Sequence, residues 1–469
     1  MSAPAPDSEL LVRAADAGDT YLSWTWLDGT PTAHVRRLDP QRLDIALAGL
    51  RRALPHPQQV DGTESGGVES DRAAARRALT SAAFASPSGE AELASLLAHA
   101  VLPPELRAEL AARGTAGSTR IRITPSPRLA QVPWELLAVD DDRRLLDIAV
   151  VTHDPPATLY VARSRSPVPW ERVRHLPAVH VIDPILPASA RHRLANVYTE
   201  AADLGVLDEI RSRVQPRDRT ARRDRAARGS GQRAALTPFQ GEVTRVQLAA
   251  ALSRGCSRFF YFGHVSAVPN EPGSAAIHLN DVTGPAGAED SAWGMAAAWT
   301  RTEAGSTTPY GAHLPLCALD FLLGTKQTED PRVWARYGAN GSQYGHEIWP
   351  MPTRVAIIAC EGGVDFRSAE TFGLIMAALD AGAELVTTTR WVLPTDAAFR
   401  AYAAAPAGTR PTTRLALQVD DAHRGADPVA ALTDWQRGQL RAWRETGDVA
   451  YSPLLWAALT TTLAPARRG

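Results

Sequence analysis

The feature that most constrains this chain is a repeated alternation of short apolar, β-branched runs with helical ones. QGEVTRVQLAAALSRG, with Val243, Val246, Leu248 and Leu252 largely on one side, predicts a helix leading into the aromatic strand SRFFYFGH. Farther on, TRVAIIAC reads as a strand, AETFGLIMAALDAG as a helix and AELVTTTRW as another strand. Near-continuous apolar strands are buried on both faces, and a strand–helix–strand succession pairs its strands in parallel. The expected fold class is therefore α/β, with a mostly parallel central sheet between helices. RIRIT, LLDIAVVTH and AVHVID, bounded by Asp and Pro, read as earlier strands of the same kind, and ANVYTEAADLGVLDEIRSR as a helix after the last of them.

Ahead of this core, DTYLSWTWLDGTPTAHVRRL places two alternating runs around Asp28, Gly29 and a Thr/Pro turn, the pattern of a β-hairpin. Residues 40–53 read as an amphipathic helix and PHPQQVDGTESGGVES as a linker. The expected organisation is a small amino-terminal β/α module over residues 1–68, then one domain over 69–469 that opens with helices at about 70–84 and 88–113. An insertion at about 281–350 carries Trp293, Trp299, Trp334 and Trp349, which suit either packing or a substrate groove or partner surface.

Acidic and basic residues balance at 51 against 50, a net charge of -1, which gives the chain as a whole no electrostatic reason to seek nucleic acid or an anionic membrane. Lys326 is the sole lysine, so arginine enrichment reads as coding bias. The Arg-rich run 211–233 is then most simply a solvated loop; the sharper alternatives are a nucleic-acid or acidic-partner contact, or a cleavable activation loop. Three cysteines make a poor disulfide framework and point to a reducing, cytoplasmic setting. The amino terminus lacks the basic start and apolar run of a secretory signal, and charge interrupts every candidate span, so no membrane partner is expected. No HExxH, CxxC, P-loop or GxSxG pattern occurs, and neither metal nor cofactor is expected.

One pair of residues carries chemistry. His264 follows the apolar run SRFFYFG and Cys360 follows TRVAII. In open parallel sheets reactive groups collect beyond the carboxyl ends of the strands, so both fall on one edge, and adjacent strands lie only ~4.8 Å apart. A free thiol of pKa ~8.5 is mostly protonated at neutral pH, and a neighbouring imidazole that accepts its proton makes it a strong nucleophile for acyl transfer. The backbone amides of Val265 and Cys360 are candidate oxyanion donors. Asp183, after VHVI, and Asp396, in WVLPTD, would reach a substrate side chain or merely cap turns, and Glu361 would bind a partner amide or face solvent. Cys256 and Cys317 read as core residues.

These strings, taken in order, resemble the CHAT group of caspase-like cysteine peptidases, related to caspases and separases. PWELL at 133–137, VHVIDP at 179–184, TRVQLAAAL before FFYFGH, IIACEGG before FGLIMAALDAGAELVTTTRWVLPTD, and SPLLWAALT at 452–460 carry the likeness over roughly residues 75–465. The resemblance implies a caspase-like α/β/α sandwich, with His264 as catalytic histidine, Cys360 as nucleophile and peptide-bond hydrolysis as the reaction. It further implies a specific protein substrate, an activator or sensor protein, and a regulated role in bacterial defence or cell death. The chain departs from that group at Val265, where glycine is usual, and in CEGG, where threonine or serine commonly follows the glutamate. The alternative is a non-catalytic caspase-like scaffold or peptide-binding module.

Overall fold

The computed structural model describes residues 8–28, 32–58, 69–113, 119–188, 197–198, 241–267, 273–282, 313–327, 329, 331–360, 371–403, 405–406 and 408–465. The predicted helix after VHVID (apart from Val197 and Tyr198), the Arg-rich run 211–233, Trp293, Trp299 and Glu361 lie outside them. The described residues hold twelve strands and divide into two compact units. One runs to Pro156 and takes in Thr387–Leu463; the other is built from Ala157–Val364 and Gly373–Val386.

The first unit contains β1 (Ser8–Ala17), β2 (Asp19–Trp26), β3 (His34–Arg37), β4 (Thr119–Thr124), β5 (Ala149–His153) and β12 (Leu459–Leu463), in the order β3-β2-β1-β4-β5-β12. The predicted hairpin is the antiparallel pair β2/β3, with Trp24 opposite His34 and their rings stacked at 4.9 Å. Every second residue of β2 is buried, and the Trp24 and Trp26 indole N–H groups both donate to Glu109 Oε2, at 3.2 and 2.7 Å. SELLVRAADA, not read as a strand in the sequence, is β1. It runs antiparallel to β2 and parallel to β4, with Leu10 beside Ile121, so the amino-terminal strands share a sheet with β4. β4/β5 and β5/β12 are also parallel.

Helix Pro40–Ala53 starts where Asp39 accepts hydrogen bonds from the Gln41 and Arg42 amides and Pro40 supplies a preset φ, and it buries Leu43, Ala46, Leu47 and Leu50. The run expected as one helix over 88–113 is two, Pro87–Val101 and Pro104–Arg113. Leu102 takes an extended backbone ahead of Pro103, whose ring disfavours helix in the residue before it.

The second unit contains β6 (Val179–Ile182), β7 (Arg258–Ser266), β8 (Ala276–Ile277), β9 (Leu316–Cys317) and β10 (Arg354–Cys360). β7 is its central strand. β10 pairs with it in parallel along one side; on the other side β6 pairs with residues 259–262 in parallel, and β8 pairs with Val265 and Ser266 antiparallel. β9 then pairs with β8. Helix Arg245–Ser253, opened by a reciprocal Thr244/Gln247 cap, leads into β7 as expected and buries Leu248 and Leu252, but Val243 precedes it and Val246 is exposed, so the apolar face is not the one the spacing predicts. Helix Thr371–Asp380 and β11 (Leu385–Thr389) follow β10, and the chain passes from the second unit to the first within β11. In the described part of the 281–350 segment Trp349 is a core residue, fully buried, edge-on to Phe321 and donating its indole N–H to the Arg245 carbonyl at 3.0 Å.

Candidate active site

The site is built at the last rung of the parallel pair β7/β10. The register runs from Arg258 beside Arg354 to His264 beside Cys360, and Cys360 is the final residue of β10. By this backbone register His264 and Cys360 sit side by side on adjacent strands. His264 is buried, at 4% exposure. Contrary to the expected exit into a loop, β7 continues to Ser266, exchanging its parallel neighbours for β8. Val265 is accordingly packed in this hairpin opposite Ile277, at 2% exposure.

Asp183 is where β6 parts from β7. Its amide still donates to the Phe262 carbonyl at 2.7 Å, but its φ of 45° lies in the left-handed region, the one such non-glycine among the described residues. Its carboxylate, buried at 1% exposure, accepts the amides of Val197 at 2.8 Å and Tyr198 at 3.2 Å. The departure of β6 leaves the side of β7 at His264 to the turn around β8. There the Tyr261 hydroxyl donates to the His264 carbonyl at 2.6 Å, and the His278 amide reaches the same carbonyl at 3.2 Å. Gly263 makes this possible: a Cβ at that position would stand 2.9 Å from the Tyr261 hydroxyl and 3.2 Å from Pro184 Cδ.

Asp396 belongs to the first unit. It follows the helix cap at Thr395, and its carboxylate accepts the Thr412 amide at 2.8 Å and the Thr413 hydroxyl. Burial pushes its carboxyl up, against the pull of those hydrogen bonds. Of the other cysteines, Cys256 is buried, which pushes its thiol up to about 12, and Cys317 is buried with Sγ donating to Asp320 at 3.1 Å. Among the described residues no cluster of His, Cys, Asp or Glu has the makings of a metal site, and no helix is long and apolar enough to cross a membrane.

The sequence reading missed the residues around His264: Tyr261, Gly263, Ser266, His278 and His313. Ser266 Oγ lies 2.8 Å from His278 Nε2, His278 Nδ1 lies 3.0 Å from His313 Nε2, and His313 Nδ1 lies 2.8 Å from the Asp281 carbonyl. The signal available was a histidine inside the apolar run SAAIHLN, where an imidazole needs a buried partner.

No protein-family model matches the chain, and no curated protein matches it. Among solved structures it is similar to the Saccharomyces cerevisiae separase–securin complex, with a TM-score of 0.43 and 9% sequence identity over 97% of this chain. The match spans 30% of the length of that chain.

Proposed function

We propose that the chain is a caspase-like cysteine endopeptidase with His264 and Cys360 as its dyad. The observation that carries this reading is their register pairing at the carboxyl end of β7/β10, which puts an imidazole-bearing and a thiol-bearing residue on adjacent strands. In the proposed cycle His264 takes the Cys360 thiol proton and the thiolate attacks a peptide carbonyl carbon. The oxyanion is held by the Cys360 and Val265 amides. The imidazolium then returns the proton to the leaving amine, and water hydrolyses the thioester to free acid and thiol. No cofactor enters. In this reading residues 1–68 extend the sheet of the caspase-like domain through β1/β4, residues 281–350 elaborate it, and Asp183 fixes the exit of β6. A specific protein substrate, an activator or sensor, and a reducing compartment belong to the same proposal.

The second reading, a scaffold that keeps the fold without the reaction, is favoured by the near-complete burial of His264 and by Val265 packed where the resembling group has glycine. Iodoacetamide labelling mapped to each cysteine separates the two. The peptidase reading expects Cys360 to react fastest at neutral pH and to slow sharply in His264→Ala. Equal reactivity of all three cysteines, indifferent to His264, would leave the scaffold. Cleavage profiling of a bacterial proteome with wild type against Cys360→Ala then reads the substrate directly.

A further inference from the structure

Four groups beside His264 form a hydrogen-bond chain whose polarity is fixed at one end. The Asp281 carbonyl can only accept, so His313 Nδ1 carries a proton and its Nε2 bears the lone pair. His278 Nδ1 must then donate to His313 Nε2, which leaves His278 Nε2 to accept from the Ser266 hydroxyl. Burial keeps both rings neutral, as this direction requires: His278 is lowered well below its ordinary value by burial, then by His313 and His264. His313 falls to about 4 by burial, with Arg245 and His264 adding to the depression and the hydrogen bond to Asp281 opposing it.

The order hydroxyl, imidazole, orienting group is that of a nucleophile and its base. Here it is sealed: Ser266 and His278 are at 0% exposure and His313 at 1%, so no substrate carbonyl meets the hydroxyl. Its effect falls on the neighbour. Ser266 is two residues beyond His264 on β7 and so on the same face. The amide of His278 donates to the His264 carbonyl, and the Tyr261 hydroxyl lies within hydrogen-bond distance of the carbonyls of both His264 and His278. A histidine side chain locked at both ring nitrogens thus holds, through its own backbone, the backbone of His264.

We propose that His278 is a positioning residue for His264, held in place by Ser266 and His313. This rests on the reading of His264 as base to Cys360. The test is the iodoacetamide reaction rate of Cys360 in the full chain from pH 5 to 9, mapped by mass spectrometry. Ser266→Ala, a small change that removes only the hydroxyl, is expected to lower the neutral-pH rate about tenfold and move the profile toward that of a free thiol near ~8.5. Ser266→Thr, which restores the hydroxyl, is expected to return the wild-type profile. His313→Gln, at the far end of the chain of bonds, repeats the loss should Ser266→Ala fail to fold. Wild-type profiles in both Ser266→Ala and His313→Gln, with His264→Ala shifted, would overturn the positioning role and leave the dyad standing. An unshifted profile in His264→Ala would instead remove the dyad, and the positioning role with it.

Discussion

The Tyr261 hydroxyl donates a 2.6 Å hydrogen bond to the carbonyl of His264, three residues along the same strand. That oxygen sits where β7 leaves one neighbour and takes up another, and the tyrosine supplies the donor that β6 no longer can. Tyr261→Phe removes one of the two donors to that buried carbonyl and leaves it the His278 amide, a loss of about 0.5–1.5 kcal/mol. A lower urea midpoint together with a slower Cys360 reaction is expected; a lower midpoint with unchanged reactivity would confine Tyr261 to stability.

Gly263 is the counterpart of that tyrosine. The Cβ of Gly263→Ala would meet the Tyr261 ring at 3.1 Å as well as its hydroxyl, forcing the side chain off the His264 carbonyl at a cost on the order of 1–3 kcal/mol. Because both substitutions break one contact, the double variant Tyr261→Phe/Gly263→Ala is expected to lose less than the sum of the two singles in denaturant titration. Strict additivity would mean that the glycine serves Pro184 alone.

The strands that frame the pair were legible because their residues repeat a local rule. β7 and β10 are largely apolar on both faces, β11 is largely β-branched and buried along its whole length, β2 alternates, and each is bounded by turn residues. β1 escaped because its outer end, beyond Val12, holds exposed and half-buried residues; what makes it a strand is pairing with β2 and β4, which no local rule encodes. The break at Leu102–Pro103 was readable from proline chemistry and was overridden by helical periodicity. The Ser266–His278–His313 chain was beyond reach for a different reason: a hydrogen bond between imidazoles 35 positions apart leaves no spacing to detect. Asp183 shows an intermediate case, since an Asp before Pro signals a turn while its left-handed backbone and its grip on Val197 and Tyr198 follow only from the fold.

Three strings that the sequence sets far apart meet in the first unit. Arg390, at the end of TTTR, pairs with Glu135 of PWELL at 2.8 Å and donates to the Ala457 carbonyl of SPLLWAALT at 2.8 Å. Both charged side chains are buried, at 3% exposure each as residues, so removing one partner strands the other. Glu135→Ala is expected to cost about 3–5 kcal/mol, and Arg390→Ala a similar amount. The double variant restores part of the loss, because no unpaired buried charge remains; urea unfolding of the three proteins measures it, and a double variant no better than the worse single would argue against a coupled pair.

Acid should weaken the fold through its buried imidazoles. Burial lowers His153, with Arg390 adding to the effect, and lowers His278 and His313, the last to about 4. An unfolded histidine takes up its proton near ~6.5, so between that pH and about 4 the unfolded chain binds more protons than the folded one, and stability falls as pH falls. Burial raises the carboxyls of Asp281 and Asp396, which act with the opposite sign, the folded form taking up protons first as pH drops. Substitution separates the two contributions: His313→Gln is expected to start less stable at pH 7 and to lose less of its urea midpoint than wild type on going to pH 4.5. A slope unchanged by that substitution would mean that His313 titrates alike folded and unfolded, and would remove the neutral ring on which the direction of the Ser266–His278–His313 chain depends.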